Sequence, residues 1–214
     1  MGTPPAKPGL RADAESNRER IVEAARRVFA EQGLNVALRE VADEAGVGIA
    51  TLYRRFPTRA DLIAGVFTEK MTIYAESVET ALADPDPWHG FCGYLETLCA
   101  MQAEDQGFTH VLTLSFPTAK AFEAQRRRAY QNFSRLIEKA QEAGRLRPDF
   151  VAEDLIMLLM ANAGVLTATA QSAPNTWRRF LAYLIESFDT ATTTAALPAP
   201  PSARAMFRAM RQAR

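Results

Sequence analysis

The chain has 214 residues, 48% hydrophobic and 23% charged, an ordinary make-up for a globular protein with one or two cores. No apolar run approaches the roughly 18 residues of a membrane-spanning helix, and the opening MGTPPAKPGLRADAES lacks the apolar core of a secretory leader. A cytoplasmic protein that does not enter a membrane is therefore expected. The net charge is zero, but residues 1–60 carry +2, residues 61–196 carry −6 and residues 197–214 carry +4. That separation suits a positive, nucleic-acid-facing end on an acidic body.

Residues 1–14 are rich in Pro, Gly and small residues and are predicted to be a disordered arm with Lys7 and Arg11 as loose charges. A helix is predicted from about Ser16 to Gln32, with Ile21, Ala25, Val28 and Phe29 as its buried stripe and Gly33 as its stop. Thr58 and Asp61 form a capping box that opens a long helix leaving the N-terminal region. Beyond Pro85 only helical periods follow, at about 86–104, 110–116, 117–143, 152–171 and 175–190. AALPAPP at 195–201 reads as a linker, and residues 202–214 as a short basic helix capped by Ser202, with Arg204, Arg208 and Arg211 on one side. Hairpin signals and alternating strands are absent from the sequence, so the expected fold class is all-α.

The stretch LREVADEAGVGIATLYRRF, residues 38–56, has the spacing of a helix-turn-helix. Ala42 is small where two helices cross, Gly46 ends the first helix, and Leu52 turns inward with Val41 and Val47. The second helix, about Ile49 to Phe56, shows Thr51, Arg54 and Arg55 outward, a set of groups suited to the DNA major groove. The blocks AARRVFAEQG, REVADEAGVG and ATLYRRF extend the pattern across residues 18–67. Together they resemble the DNA-binding domain of TetR-family transcriptional repressors, over roughly a quarter of the chain.

The resemblance implies contacts residue by residue. Thr51 and Tyr53 would reach phosphates or base edges, Ile49, Ala50 and Arg54 would read bases, and Arg59 would sit on a phosphate. Arg39 is a further base or phosphate candidate. Three positions depart from the family pattern: Ala37 and Gly48 stand where hydroxyl caps are usual, and Arg55 replaces a His. A permanent cation at Arg55 can restore phosphate affinity, and Gly48 remains in the expected DNA-facing set.

For the C-terminal part, the resemblance implies a small-molecule pocket and a dimer. Phe91, Tyr94, Leu98, Met101, His110, Phe116, Phe133, Met160 and Asn162 are the candidate ligand residues, with Tyr94, His110 and Asn162 as polar anchors. For any one of them, plain core is the stronger reading. The helix AEDLIMLLMANAGVLTATAQ is apolar nearly all round and needs burial. By resemblance it pairs with the last helix in an intermolecular four-helix bundle, through Leu155, Leu159, Asn162, Leu166, Phe180, Leu184 and Phe188. The expected organisation is an arm at 1–14, a three-helix DNA-binding domain at 15–66, a ligand-binding and dimerisation domain at 67–194, and a linker with a basic tail at 195–214.

The expected partners are a palindromic double-stranded DNA operator, a second copy of the chain and an unidentified small-molecule effector. No cofactor is expected. Catalytic signatures such as G-x-S-x-G, a Walker loop and H-E-x-x-H do not occur, so an enzyme is not expected. Cys92 and Cys99 lie seven apart on one predicted helix, roughly 10 Å, too far for a disulfide. With His89 they lack further ligands for a metal site. A helical protein that binds small molecules or acts as an enzyme, and whose helix-turn-helix does not meet DNA, is the alternative, separable by a gel shift.

Overall fold

The computed structural model describes residues 8–113, 119–191 and 195–212. Its described residues form ten helices in the order α1 Pro8–Gln32, α2 Leu38–Glu44, α3 Ile49–Arg55, α4 Arg59–Leu82, α5 Pro87–Glu104, α6 Gln106–Thr113, α7 Lys120–Glu142, α8 Ala152–Thr169, α9 Thr176–Phe188 and α10 Ala203–Gln212. The chain divides into two compact units, Met1–Phe67 and Thr68–Arg214.

In the first unit, Ile21, Ala25, Val28 and Phe29 are buried as the stripe predicted, together with Val41, Ala42 and Leu52. The expected arm is corrected for residues 8–14, which belong to α1. Pro8 is tolerated in a first helical turn, Gly9 falls in that same turn, and the Leu-Arg-Ala-Asp-Ala-Glu run behind them contains no breaker. Gly46 takes φ 62° at the end of α2, a conformation costly for any residue with a Cβ. Thr58 and Asp61 form the predicted box: Asp61 N–H donates to Thr58 Oγ1 at 3.1 Å, and Thr58 N–H donates to Asp61 Oδ2 at 3.0 Å.

The second unit is arranged around α5, which packs against α6, α7, α8 and α9. Asp86 caps α5 by accepting from the Trp88 and His89 N–H groups at 2.9 and 3.2 Å. Phe91 lies at the centre of a ring cluster, 6.0 Å from Phe133 and 5.3 Å from Phe150. Phe150 meets Phe188 edge-on at 4.9 Å. Helix α6 begins at Gln106, four residues before the predicted start, because Asp105 Oδ1 accepts from Phe108 N–H at 3.0 Å and caps it there. The Ser202 cap on α10 is present, with Ser202 Oγ accepting from Ala205 N–H at 3.2 Å.

Candidate nucleic-acid interface and ligand cavity

Helices α2 and α3 have seven residues each, too short to persist alone. Leu52 is fully buried and pins α3, which leaves Tyr53, Arg54 and Arg55 exposed and Ile49 and Thr51 half-exposed. Ala50, Gly48 and Arg39 are exposed as well. The predicted DNA-facing set therefore shares an accessible surface, with Arg59 as the exception. Arg59 Nη1 donates to the Leu34 carbonyl at 2.7 Å and to the Val36 carbonyl. It ties the α1–α2 turn to the start of α4, which makes it first a brace of this unit.

Arg20, which sequence reasoning missed, does the same for the helix-turn-helix. Its Nη2 donates to the Ala45 carbonyl at 2.7 Å, at the turn between α2 and α3. A Cβ on Gly46 would meet that nitrogen at 2.8 Å. Neither Ala37 nor Gly48 supplies a side-chain cap, as the departures from the family pattern imply.

The second unit holds a cavity of about 650 Å³ between α4, α6, α7, α8 and α10. Its wall includes Tyr74, Leu112, Phe133, Leu155, Ile156 and Leu159, with Glu123, Arg126, Arg127, Tyr130, Glu153 and Arg204 as polar members. Among the predicted ligand residues, Phe133 reaches this wall. Phe91, Tyr94 and Leu98 do not, because they are packed into the core. His110 is exposed and lines a separate hollow of about 340 Å³. Met101 and Met160 are half-buried away from both cavities, and Phe116 lies outside the described residues.

Asn162 is fully buried. Its Nδ2 donates to Gln102 Oε1 at 2.9 Å, and Gln102 Nε2 donates to the Leu159 carbonyl at 3.1 Å. Asn162 Oδ1 and Tyr94 Oη are buried without a hydrogen bond of ordinary geometry. Burial pushes the phenols of Tyr74 and Tyr94 above their ordinary pKa, and the two hydroxyls neighbour each other. Burial likewise raises both thiols to about 12, so Cys92 and Cys99 stay protonated and inert.

The interface set also needs correction. Leu155, Leu159 and Asn162 face the interior of the protomer, so they are not available to a partner in this conformation. Leu166, Phe180, Leu184 and Phe188 are half-buried. The outward stripe of α8 consists of Met157, Ala161, Gly164 and Ala168, and Tyr183 on α9 is exposed as well. The sequence could not separate the two faces because α8 is apolar on both.

Residues 21–66 match the family "Bacterial regulatory proteins, tetR family", and residues 86–187 match "Transcriptional regulator SbtR-like, C-terminal domain". An HTH-type transcriptional regulator of Staphylococcus aureus is 39% identical over 66 residues, which span 30% of this chain and 36% of that protein. The matched segment thus covers about a third of the relative's length. Among solved structures, a tetR-family regulatory protein from Rhodococcus RHA1 aligns with TM-score 0.58 at 19% identity, over 84% of this chain and 98% of that one. The regulator FadR from Bacillus subtilis in complex with stearoyl-CoA aligns with TM-score 0.59 at 16% identity, over 78% and 97%. RolR in complex with resorcinol gives 0.53 at 22% identity, over 83% and 90%. At these identities the structural likeness speaks for the fold.

Proposed function

Because the chain belongs to the TetR family of bacterial regulatory proteins, we propose that it is a cytoplasmic, DNA-binding transcriptional regulator, acting as a dimeric repressor released by a small molecule. The observation that carries DNA binding is the exposed face of α3, where Tyr53, Arg54 and Arg55 stand out from a helix pinned by Leu52. Arg54 would read base edges, and Tyr53 and Arg55 would hold phosphates. One such helix reads only a few base pairs, so a two-fold dimer on a palindrome fits the need for specificity.

The unpartnered side of α8 supports dimerisation. Contrary to the sequence expectation, α8 is by length and composition apolar enough to cross a membrane, and only 28% of it is buried in the protomer. Leu155, Leu158, Leu159 and Asn162 build its inner side into the protomer. Its outer stripe of small residues and Met157 fits close approach of the same stripe in a second copy, with Tyr183, Leu184 and Phe180 of α9 alongside.

The effector would occupy the 650 Å³ cavity, whose size lies in the usual range for small-molecule sites. Helix α4 begins at Arg59 and carries Tyr74 on the cavity wall, so it is the proposed lever. Differential binding of about 1–3 kcal/mol to the released form is enough for derepression. A gel shift with the DNA upstream of the gene tests the reading. Weakened binding to any duplex in Tyr53→Ala and a relaxed operator preference in Arg54→Ala are expected; undiminished binding and preference in both variants would reject the docking, and no binding by the wild type would favour a ligand-binding protein without DNA contact.

A further inference from the structure

We propose that α10 is a closing wall of the cavity and that Arg127 and Arg204 select an apolar anion as its ligand. The inference rests on the reading of this cavity as the effector site.

The segment leading to α10 is clasped rather than loose. Arg147 is buried, and its Nη2 donates to the Ala195 carbonyl at 2.7 Å. The same guanidinium holds Asp149 Oδ2 at 3.0 Å, and that oxygen accepts from Leu197 N–H at 2.9 Å. The chain is thereby led back over the second unit. Along α10, Met206 and Met210 are one helical turn apart and buried, while Ala203, Arg204 and Arg208 are exposed. The helix packs on α8, and Ala203, Arg204 and Met210 form part of the cavity wall. Methionine is flexible and polarizable, so this wall can repack around an occupant without losing its seat.

The charge of the wall sets the ligand class. Glu123 lies 3.6 Å from Arg126 Nε, and Glu153 Oε1 accepts from the Tyr130 hydroxyl at 3.1 Å. Arg126 also donates to the Val111 and Leu112 carbonyls at 2.7 and 3.0 Å. Both carboxylates and Arg126 are therefore engaged. Arg127 and Arg204 are exposed, border the cavity, and form no ion pair with a carboxylate among the described residues. A neutral apolar ligand would fill the space and leave those two cations to water, without using them. A ligand with an apolar body and one carboxylate, sulfonate or phosphate would match both the aromatic and aliphatic lining and the cations.

Two dyes with one ring system test this on the full chain: 1-anilinonaphthalene-8-sulfonate, an anion, and N-phenyl-1-naphthylamine, which is neutral. Arg127→Gln/Arg204→Gln is expected to weaken the anionic dye about tenfold and the neutral dye less than about twofold. The anionic dye should also slow tryptic cleavage after Arg204 and Arg208 about fivefold, because it holds α10 against the cavity. Met206→Gln/Met210→Gln should speed that cleavage and abolish the protection. Equal losses for both dyes, or no loss, would overturn the anion selectivity; cleavage indifferent to the dye would overturn the wall. Ile156→Trp, which puts an indole into the cavity to obstruct it, separates the two readings. If it abolishes dye binding while cell extract that releases DNA from the wild type still releases it from the variant, α10 keeps its role and the cavity is not the effector site.

Discussion

In the first unit two guanidinium groups reach across the fold to backbone carbonyls, Arg20 to Ala45 and Arg59 to Leu34 and Val36. The second has such bonds at its margins, Arg126 to Val111 and Leu112 and Arg147 to Ala195, but its centre is held by rings, with Phe91, Phe133 and Phe150 stacked and edge-on. Directional bonds to turns fix the angle at which two seven-residue helices present their outer faces. Ring packing fixes volume but less of the geometry, and it leaves room for a cavity beside it. A surface that must match a rigid groove and a chamber that must admit a guest call for these different solutions.

The largest expected effect sharpens the contrast. Phe91→Ala removes the centre of the ring cluster and should cost about 3–5 kcal/mol. The two tryptophans, Trp88 and Trp177, both lie in the second unit. Their fluorescence in urea should therefore show the full loss. A midpoint within error of the wild type would mean that the cluster is not what holds this unit.

Arg59→Gln probes the other side. Charge-assisted bonds to two carbonyls are lost, at about 1.5–3 kcal/mol. Helical circular dichroism should melt earlier, while the tryptophan transition stays in place. DNA binding should fall on operator and random sequences alike, because the whole reading head is loosened. If Arg59 were a phosphate contact only, affinity would fall and the melt would not move. Arg54→Ala is the counterpart with no internal role: stability unchanged, and about 1–3 kcal/mol of base discrimination lost at one symmetric pair of operator positions.

The contrast also explains what the sequence could tell. Ala42, Gly46 and Leu52 each occupy a position where one residue type fits for a steric reason, so the helix-turn-helix is legible by spacing alone. The Thr58–Asp61 box is legible for the same reason. Arg20 and Arg59 were not read as braces, because an arginine's partner carbonyls lie 23–26 residues away and carry no side-chain signature. In the second unit, Phe91, Tyr94, Leu98 and Phe133 are alike as letters, and only packing decides that Phe133 meets the cavity while Phe91 fills the core. Arg127 and Tyr130 are exposed on α7 and border the cavity, and nothing in the sequence separates them from the other exposed polar residues of that helix. The burial of Leu155 and Leu159 in their own protomer was hidden by the apolarity of α8 on every side.

A smaller effect concerns the clasp on residues 195–197. The Arg147 guanidinium beside Asp149 lowers its carboxyl pKa to about 2. A carboxylate depressed in this way stabilises the fold above its ordinary range, and the contribution fades as pH falls from near 4 through about 2. The thermal midpoint of Asp149→Asn should lie below the wild type by a constant margin at pH 5–7, and the margin should close towards pH 2. A margin that stays open at the lowest pH would assign the effect to something other than the charge.

The smallest effect is a gain, and it tests whether α3 is set by its surroundings rather than by its own cap. Gly48 precedes α3 with φ −66° and ψ 143°, an extended conformation open to any residue, and a Cβ there would meet nothing within 4 Å. Serine fits without strain, and its hydroxyl can accept from a backbone N–H of the first turn of α3. Because Gly at an N-cap is only a few tenths of a kcal/mol worse than Ser, Gly48→Ser should raise stability by about that amount. The hydroxyl also adds a donor on the DNA-facing side, so affinity for any duplex should rise slightly and the operator preference should not change. If Gly48→Ser stabilises the unit by more than about 1 kcal/mol, α3 is held mainly by its end. In that case Arg20 and Leu52 position the reading helix less firmly than the geometry of the first unit implies.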